Sequence, residues 1–500
     1  MRLARPRALA AVLLATGLAA SLLASLDIAA AQERFPRIGF TPFNYDLSST
    51  SEADVYDRIN PREDVIAHHL DSGVPWPEAW AGLPYDPAVE ADLAFRIAHT
   101  PPGTAIYLAA APLNTNRTGL AGYWGSSANL PRPGEWADKT YDDPMVITAY
   151  VNWCRDLIGR FHPRYFNYGV EVTELLQNDP AQWDRLMVFA REVYTRLKRE
   201  FPGLPLFVSC TVRDPGSVEM ERAKAGTRQI MQYSDYMAAS SYRYIFGAGP
   251  DKGNPANLPP AWLQQMADLA PGKPFAVAET AWLAERMTIP AYGIDTPGTA
   301  AWQDAYLRTL LDEADRLHAR FVIWFLPVDY DRLWMWLQAL GLGDPSWLLW
   351  KDTGLWDGRL VARPSLATWD ARFARPRREV PPRIADGWAV AGSQLTVVRA
   401  GAGALTVTWD PGACPAPNHH LVWFDLASIA SYAIAAETCG AGSTGTWTGA
   451  PPSGAVAVLA VADDGASTEG SHGVDGLGRE RPSKDLYCGL SMKLTDGGCP

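Results

Sequence analysis

Two glutamates in this chain close short apolar runs, and carboxylates so placed suit general acid–base and nucleophilic chemistry. Glu171 lies in the stretch Tyr165-Phe-Asn-Tyr-Gly-Val-Glu-Val-Thr-Glu-Leu-Leu176. Glu279 lies in Lys273-Pro-Phe-Ala-Val-Ala-Glu-Thr-Ala-Trp282. Cleavage of a glycosidic bond needs such a pair. One carboxyl protonates the leaving oxygen, while the other attacks the anomeric carbon or activates water. Their surroundings must drive their pKa values apart. Aromatic and polar residues near the same run ends are candidate substrate contacts: Asp71 and Trp76 after one run, Tyr242 and Trp282 after two others, and Trp324 in a fourth. Glu174 is a fallback acid that reads better as opening the next loop or helix.

Positioning these residues requires strand ends that converge. From Arg37 to about Trp369 the pattern alternates strand and helix. Strands are predicted near 37–42, 64–70, 104–111, 165–171, 205–211, 236–242, 274–280 and 319–325. Helices lie between them. Asp86-Pro87 and Thr299 supply N-terminal caps, and the apolar positions Trp183, Leu186, Met187, Ala190, Val193, Tyr194 and Leu197 form one helical face. Eight such units predict an α/β fold, a (β/α)8 TIM barrel, over residues 32–374. Glu171 would then close the fourth strand and Glu279 the seventh, both at the mouth where barrels place their chemistry. A doubly wound open sheet is the alternative, but it wants a phosphate-type glycine turn after the first strand, and Gly39-Phe-Thr-Pro42 is not one.

Residues 375–384, rich in Arg and Pro, read as a linker. Beyond them short alternating runs such as Ala404-Leu-Thr-Val-Thr-Trp409 and Ala455-Val-Ala-Val-Leu-Ala460 predict a small all-β sandwich over 385–482. A Gly-rich, charged segment from about 470, ending in the tail 483–500, is expected to be loosely ordered except around Cys488 and Cys499.

On these residues the barrel resembles clan A glycoside hydrolases, which carry an acid/base Glu after strand four and a nucleophile Glu after strand seven. Within the clan, Tyr168-Gly-Val-Glu-Val-Thr-Glu-Leu175, Ser234-Asp-Tyr-Met-Ala-Ala-Ser-Ser-Tyr242 and Val277-Ala-Glu-Thr280 are similar to stretches of family 53, the arabinogalactan endo-β-1,4-galactanases. Phe321-Val-Ile-Trp324 is similar to the strand-eight tryptophan that floors the sugar site. The resemblance implies a retaining β-glycosidase with Glu171 as acid/base and Glu279 as nucleophile. It departs at Val170, where the clan usually has the Asn that binds the sugar 2-hydroxyl. The Leu405-Thr-Val-Thr-Trp409 run and its successors resemble a fibronectin type III-like module.

Other chemistries fit less well. His68-His69 are neighbours on a strand and point to opposite faces, so they do not form a metal pair. His99, His162 and His318 precede strands and belong to the far end of the barrel. No Gly-x-Ser-x-Gly elbow is present, and Gly440-Ala-Gly-Ser-Thr-Gly445 matches a dinucleotide fingerprint by letter only. No metal or other cofactor is expected for the chain. The expected partner is a carbohydrate.

The 500 residues carry a net charge of −11. The first 31 read as a cleaved export signal: Arg2, Arg5 and Arg7, an apolar stretch, then Ala29-Ala-Ala31. Its three Arg and one Asp leave the rest near −13. That charge argues against nucleic acid or an anionic membrane as partner, and no later run is long enough to span a bilayer. A secreted or periplasmic protein is expected. Cys154 and Cys210 read as buried thiols; Cys414, Cys439, Cys488 and Cys499 read as two disulfides, with spacing suggesting 414–439 and 488–499. The other reading of the whole chain is a catalytically inactive carbohydrate-binding or cell-surface protein built on the same barrel, favoured by Val170.

Overall fold

The computed structural model describes residues 33–378, 380–387, 390–476, 479–495 and 497. The expected export signal and Cys499 lie outside them. Strands β1 (Arg37–Phe40), β2 (Val65–Leu70), β3 (Ala105–Ala110), β4 (Tyr165–Gly169), β5 (Leu206–Thr211), β6 (Met237–Ser241), β7 (Phe275–Thr280) and β8 (Phe321–Trp324) form one eight-stranded sheet. Its order is β1-β8-β7-β6-β5-β4-β3-β2, with every paired neighbour parallel. The fold is a (β/α)8 barrel followed by an all-β region.

The sheet is brought round by a different device. No ladder joins β1 to β2 among the described residues. Instead the Ile38 amide donates to Asp64 Oδ1 at 2.8 Å, the Phe40 amide to Glu63 Oε2 at 3.0 Å, and the Asp64 amide to the Ile38 carbonyl at 3.1 Å. The two backbones approach so closely that a Cβ on Gly39 would lie 1.5 Å from the Val65 carbonyl oxygen.

Period-two alternation divides the barrel residues into an inner and an outer layer. Inward positions carry Val65, Ala67, Tyr107, Ala109, Tyr165, Phe207, Tyr236, Ala238, Ala276, Ala278, Phe321 and Ile323, all buried. The aromatic members fill the interior: Tyr107 and Phe321 lie 4.8 Å apart between ring centres, as do Tyr165 and Phe321, and Phe207 stacks on Tyr236 at 5.3 Å. The barrel interior is therefore a packed core. Outside it run helices, the longest being Pro144–Phe161, Trp183–Glu200 and Ala300–Arg316. Trp183–Glu200 buries the apolar face expected of it, with Met187 at its half-buried edge. Asp86 and Thr299 cap their helices through the Ala88 and Trp302 amides. No helix among the described residues is long and apolar enough to cross a membrane.

The C-terminal region holds β9 (Thr396–Gly401), β10 (Ala404–Thr408), β11 (Asn418–Asp425), β12 (Ile434–Thr438), β13 (Thr446–Gly449), β14 (Val456–Asp463), β15 (Thr468–Glu469) and β16 (Met492–Lys493). A three-stranded sheet, β9-β10-β13, packs on a five-stranded one, β12-β11-β14-β15-β16, around Val407, Trp409, Leu421, Trp423 and Ala460. The segment after 470 is more ordered than its composition suggests: His472, Val474, Leu490 and Leu494 are buried. The stretch expected to be a linker is also tied down on both sides. The Arg378 amide donates to the Arg34 carbonyl at 2.9 Å, and its guanidinium donates to Ser467 Oγ and Thr468 Oγ1 at 3.0 and 2.9 Å.

The disulfide pairing differs from the one spacing suggested. Cys439 is joined to Cys488, and Cys414 is also disulfide-bonded. Glu437, at the end of β12, is the reason Cys488 comes to Cys439 rather than to a near neighbour. Its carboxylate accepts from the amides of Leu486, Tyr487 and Cys488 at 3.1, 2.9 and 3.2 Å, which seats that loop against the strand. Cys154 and Cys210 are free and buried, as expected.

Candidate active site

Strand β4 stops at Gly169, so Glu171 sits in the turn beyond it with φ of +51°. Left-handed backbone at a non-glycine residue costs about 1–3 kcal/mol and persists where its surroundings hold it. Here the Glu171 amide donates to Ser209 Oγ at 2.9 Å, the Val172 amide to the Ser209 carbonyl at 3.0 Å, and the Glu174 amide to the Glu171 carbonyl at 2.9 Å. Asn167 beneath is fully buried; its side-chain amide donates to Tyr107 Oη at 3.0 Å and to Ser209 Oγ at 3.2 Å. This network fixes where Glu171 begins.

Glu279 reaches the mouth by a bulge. Against β6, Ala239 pairs with Val277 while the next residue, Ser240, pairs with Glu279; against β8 the same step recurs, so β7 holds one extra residue at Ala278. Strict alternation would send Thr280 inward. The extra residue instead turns Glu279 in and Thr280 out, where its hydroxyl meets that of Tyr306. Strand β4 carries a similar register shift between Asn167 and Gly169, just before Glu171.

Around Glu279 the mouth is crowded. Tyr242 donates its hydroxyl to Glu279 Oε2 at 3.0 Å, and His69 Nδ1 lies 3.3 Å from Oε1. Arg117, from the long segment after β3, places Nη2 3.2 Å from Glu171 Oε2. Glu279 is 4% exposed, and neither nitrogen of the buried His69 makes a hydrogen bond. Buried polar atoms without hydrogen bonds are rare in native structures and gather at catalytic or ion-binding places. An aromatic wall stands beside them: Tyr242, Phe325 and Trp350 lie within 4.6–5.9 Å of one another between ring centres, and Phe43 is 5.3 Å from Phe325.

Burial, then the Glu171 charge, raises the Glu279 carboxyl well above the usual carboxylate range, against the pull of Arg117 and the Tyr242 hydrogen bond. Burial raises Glu171 too, with Arg117 as the main opposing influence. Burial pushes His69 down to about 4, so its ring is neutral at neutral pH. Glu279 is buried, Glu171 is half-buried, and Glu279 feels the charge of Glu171; such a pair does not ionise together readily, and the site can hold one proton between them.

The expected contacts fare unequally. Glu171, Glu279 and Tyr242 meet at the mouth, and half-buried Asp71 is near enough for its charge to act on His69, Arg117 and Glu279. The three tryptophans go elsewhere, and the structure corrects their reading as sugar contacts. Trp324 follows inward-facing Ile323 and so points outward; it is fully buried, and its indole N–H donates to the Thr353 carbonyl at 3.0 Å. The next residue, Phe325, faces the mouth in its stead. Trp282 is fully buried, stacked on Tyr306 at 4.1 Å. Trp76 opens a short helix and donates its indole N–H to the Ala121 carbonyl at 3.1 Å, with no exposed surface. Glu174 begins the helix Glu174–Asn178 and is engaged by Arg213 at 2.5 Å.

His69, Arg117, Phe325 and Trp350 were not among the expected site residues. The alternation that separates His68 from His69 does place one of them inside: His68 turns outward to Thr100 Oγ1 at 2.8 Å, leaving His69 in the barrel. Arg117 follows no periodic element and carries no such signal.

No known protein family matches the chain, and no curated protein matches it in sequence. Solved structures with a similar fold include exo-beta-1,4-mannosidase Op5Man5 from Opitutaceae bacterium strain TAV5, at 14% identity and a TM-score of 0.46, over 70% of this chain and 62% of that one. An FMN-binding beta-glucuronidase from Facaelibacterium prausnitzii L2-6 is similar at 13% identity and a TM-score of 0.39, over 86% and 55% of the two chains. Native xylanase 10B from Thermotoga maritima is similar at 12% identity and a TM-score of 0.42, over 69% and 95%. The chain thus spans less than two thirds of the length of the first two.

Proposed function

We propose that this protein is a secreted retaining β-glycosidase acting on a polysaccharide. The observation that carries the reading is the meeting of two glutamates at one barrel mouth, Glu279 buried and Glu171 half-buried, with Glu279 under the charge of Glu171 and each held by different partners. In this reading Glu279 attacks the anomeric carbon and Glu171 protonates the leaving oxygen; Glu171 then takes a proton from the water that releases the sugar. Tyr242 favours the ionised form of Glu279 and orients it. Arg117 pulls the other way at Glu171, because a cation there favours the carboxylate rather than the acid. Productive binding therefore requires the sugar to loosen that ion pair, so that the shared proton sits on Glu171 and Glu279 is free to attack. Tyr242, Phe325, Trp350 and Asp71 are the proposed sugar contacts, and β-1,4-galactan is the proposed substrate on the resemblance of the strand ends. The C-terminal sheets, three strands on five, support a fibronectin type III-like module. Residues 1–31 support export.

A carbohydrate-binding role without turnover is the second reading. Buried Val170, in place of a hydrogen-bonding side chain, and the Arg117–Glu171 pair favour it. Reducing-sugar release from a panel of β-linked polysaccharides that includes galactan separates the two. Release by the native chain that vanishes in Glu279→Gln supports the glycosidase, and retained anomeric configuration in the first product supports the double displacement. Glycan binding with no release from any member of the panel supports the second reading and overturns the first.

A further inference from the structure

Far from the barrel mouth, three side chains of the β region converge in a way that neither glycan chemistry nor simple packing uses. His420 comes from β11, Glu469 from β15, and His472 from the turn three residues on. His420 and Glu469 have no exposed surface and His472 is 2% exposed. His472 Nε2 lies 2.9 Å from Glu469 Oε2, and His420 Nε2 lies 3.4 Å from the same oxygen. The ligand atoms of all three fall within 4.8 Å of one another. We propose that His420, Glu469 and His472 form a binding site for a divalent transition-metal ion, with zinc the best fit.

The donor set is two imidazoles and one carboxylate, which suits zinc in a four-coordinate site with a water completing the shell. Zinc–ligand bonds of ~2.0–2.1 Å in tetrahedral arrangement set neighbouring ligand atoms about 3.4 Å apart. The His420–Glu469 spacing already matches, and the His472–Glu469 spacing needs to open by about 0.5 Å.

The surrounding shell is the second, independent observation. His420 Nδ1 lies 3.1 Å from Asp463 Oδ2, and a ring that keeps its proton on Nδ1 for that contact would offer Nε2 to the ion. That Nε2 is buried and makes no hydrogen bond. Asp463 is itself fixed by the Asn418 side-chain amide at 2.8 and 3.0 Å and by the Gly465 amide at 2.8 Å. Glu469 Oε1 accepts from the Asp485 amide at 2.9 Å, leaving Oε2 to face the imidazoles. The nearby cation, Lys493, is spent elsewhere: its ammonium donates to the Arg481 and Ser483 carbonyls and lies 3.2 Å from Glu480. Two buried carboxylates, Asp463 and Glu469, flank His420 at 3.1 and 3.4 Å, and a divalent cation on Nε2 would add its charge between them. His472 also lines a cavity of about 410 Å³ beside the segment 383–395, with its side chain itself fully buried. The ion would join β11, β15 and the turn after it, in the part of the chain that the Cys439–Cys488 disulfide already cross-links.

The test uses the full chain, loaded with zinc, dialysed against metal-free buffer and assayed by elemental mass spectrometry and thermal melting. The expected result is close to one zinc per chain, with a lower Tm after chelation that added zinc restores. His472→Ala is expected to retain at least ~10-fold less zinc, and Asp463→Asn to bind it about 10–100-fold more weakly. If a variant fails to fold, titration of the unaltered chain with cobalt(II), read by its visible absorption, tests the same donor set. A native chain that retains no zinc, shows no Tm response to it and gives no cobalt spectrum overturns the site. So does a folded His472→Ala that retains zinc in full.

Discussion

Arg117 and Glu171, from the segments after neighbouring strands β3 and β4, meet at the barrel mouth, Nη2 to Oε2 at 3.2 Å, and both residues hold left-handed backbone, at φ of +53° and +51°. Each is thus fixed from behind before the side chains meet, and the ion pair is built into the loops. If Glu171 is the acid, this pair sets how much of it is protonated. Arg117→Met removes the charge that holds the carboxyl down. The basic limb of the pH profile of kcat/KM is expected to rise by about one unit. An unmoved limb would assign the titrating acid elsewhere.

Tyr242 acts on the other carboxyl. Its hydrogen bond to Glu279 Oε2 favours the ionised form. A hydrogen bond to a charged group is worth roughly 1.5–3 kcal/mol, so Tyr242→Phe is expected to lower kcat about 10–100-fold. The acidic limb of the profile should move up, because Glu279 becomes harder to ionise. Circular dichroism of the variant separates this from unfolding.

His69 gives a pH signature in stability. Its folded-state pKa of about 4 lies below the ordinary value of 6.5, so the unfolded chain takes up its proton first as pH falls. The stabilising effect of the neutral ring is complete above pH 6.5 and is lost on the way down to pH 4. Across that window the native chain is expected to lose about 3 kcal/mol relative to His69→Gln, read by denaturant unfolding at each pH. Parallel curves for the two proteins would contradict it.

Gly39 is a packing test that touches no catalytic group. A methyl there has to occupy space 1.5 Å from the Val65 carbonyl oxygen, and backbone has to part to admit it. Gly39→Ala is expected to destabilise the fold by about 3 kcal/mol or more, measured by denaturant unfolding. An effect below ~1 kcal/mol would mean that β1 and β2 separate readily.

The barrel was legible because its signals are local. Short apolar runs punctuated by capped helices mark strands and helices wherever they occur, and the eight expected strands match those observed. The mouth was legible only in part, because its geometry depends on one-residue offsets. Glu279 faces inward through the extra residue at Ala278, which no alternation rule anticipates. Trp324 faces outward for the opposite reason: β8 keeps its period, and the inward place falls to Phe325. Arg117 comes from a stretch without period, and Cys488 reaches Cys439 because Glu437 gathers three amides of a distant loop. Contacts of that kind are set by tertiary structure and leave no trace in neighbouring letters.

The junction between β1 and β2 has a mechanical meaning. The other neighbours around the ring share backbone ladders, while this one is sewn by the carboxyls of Glu63 and Asp64. A hoop loaded from within opens at its weakest stave. Phe43, which follows β1, and His69, on β2, stand on opposite sides of that joint with ring centres 6.1 Å apart. A bulky guest wedged into the mouth would part those two before it disturbed the carboxyl on β7 or the one in the turn after β4, whose strands are joined to their neighbours by intact ladders.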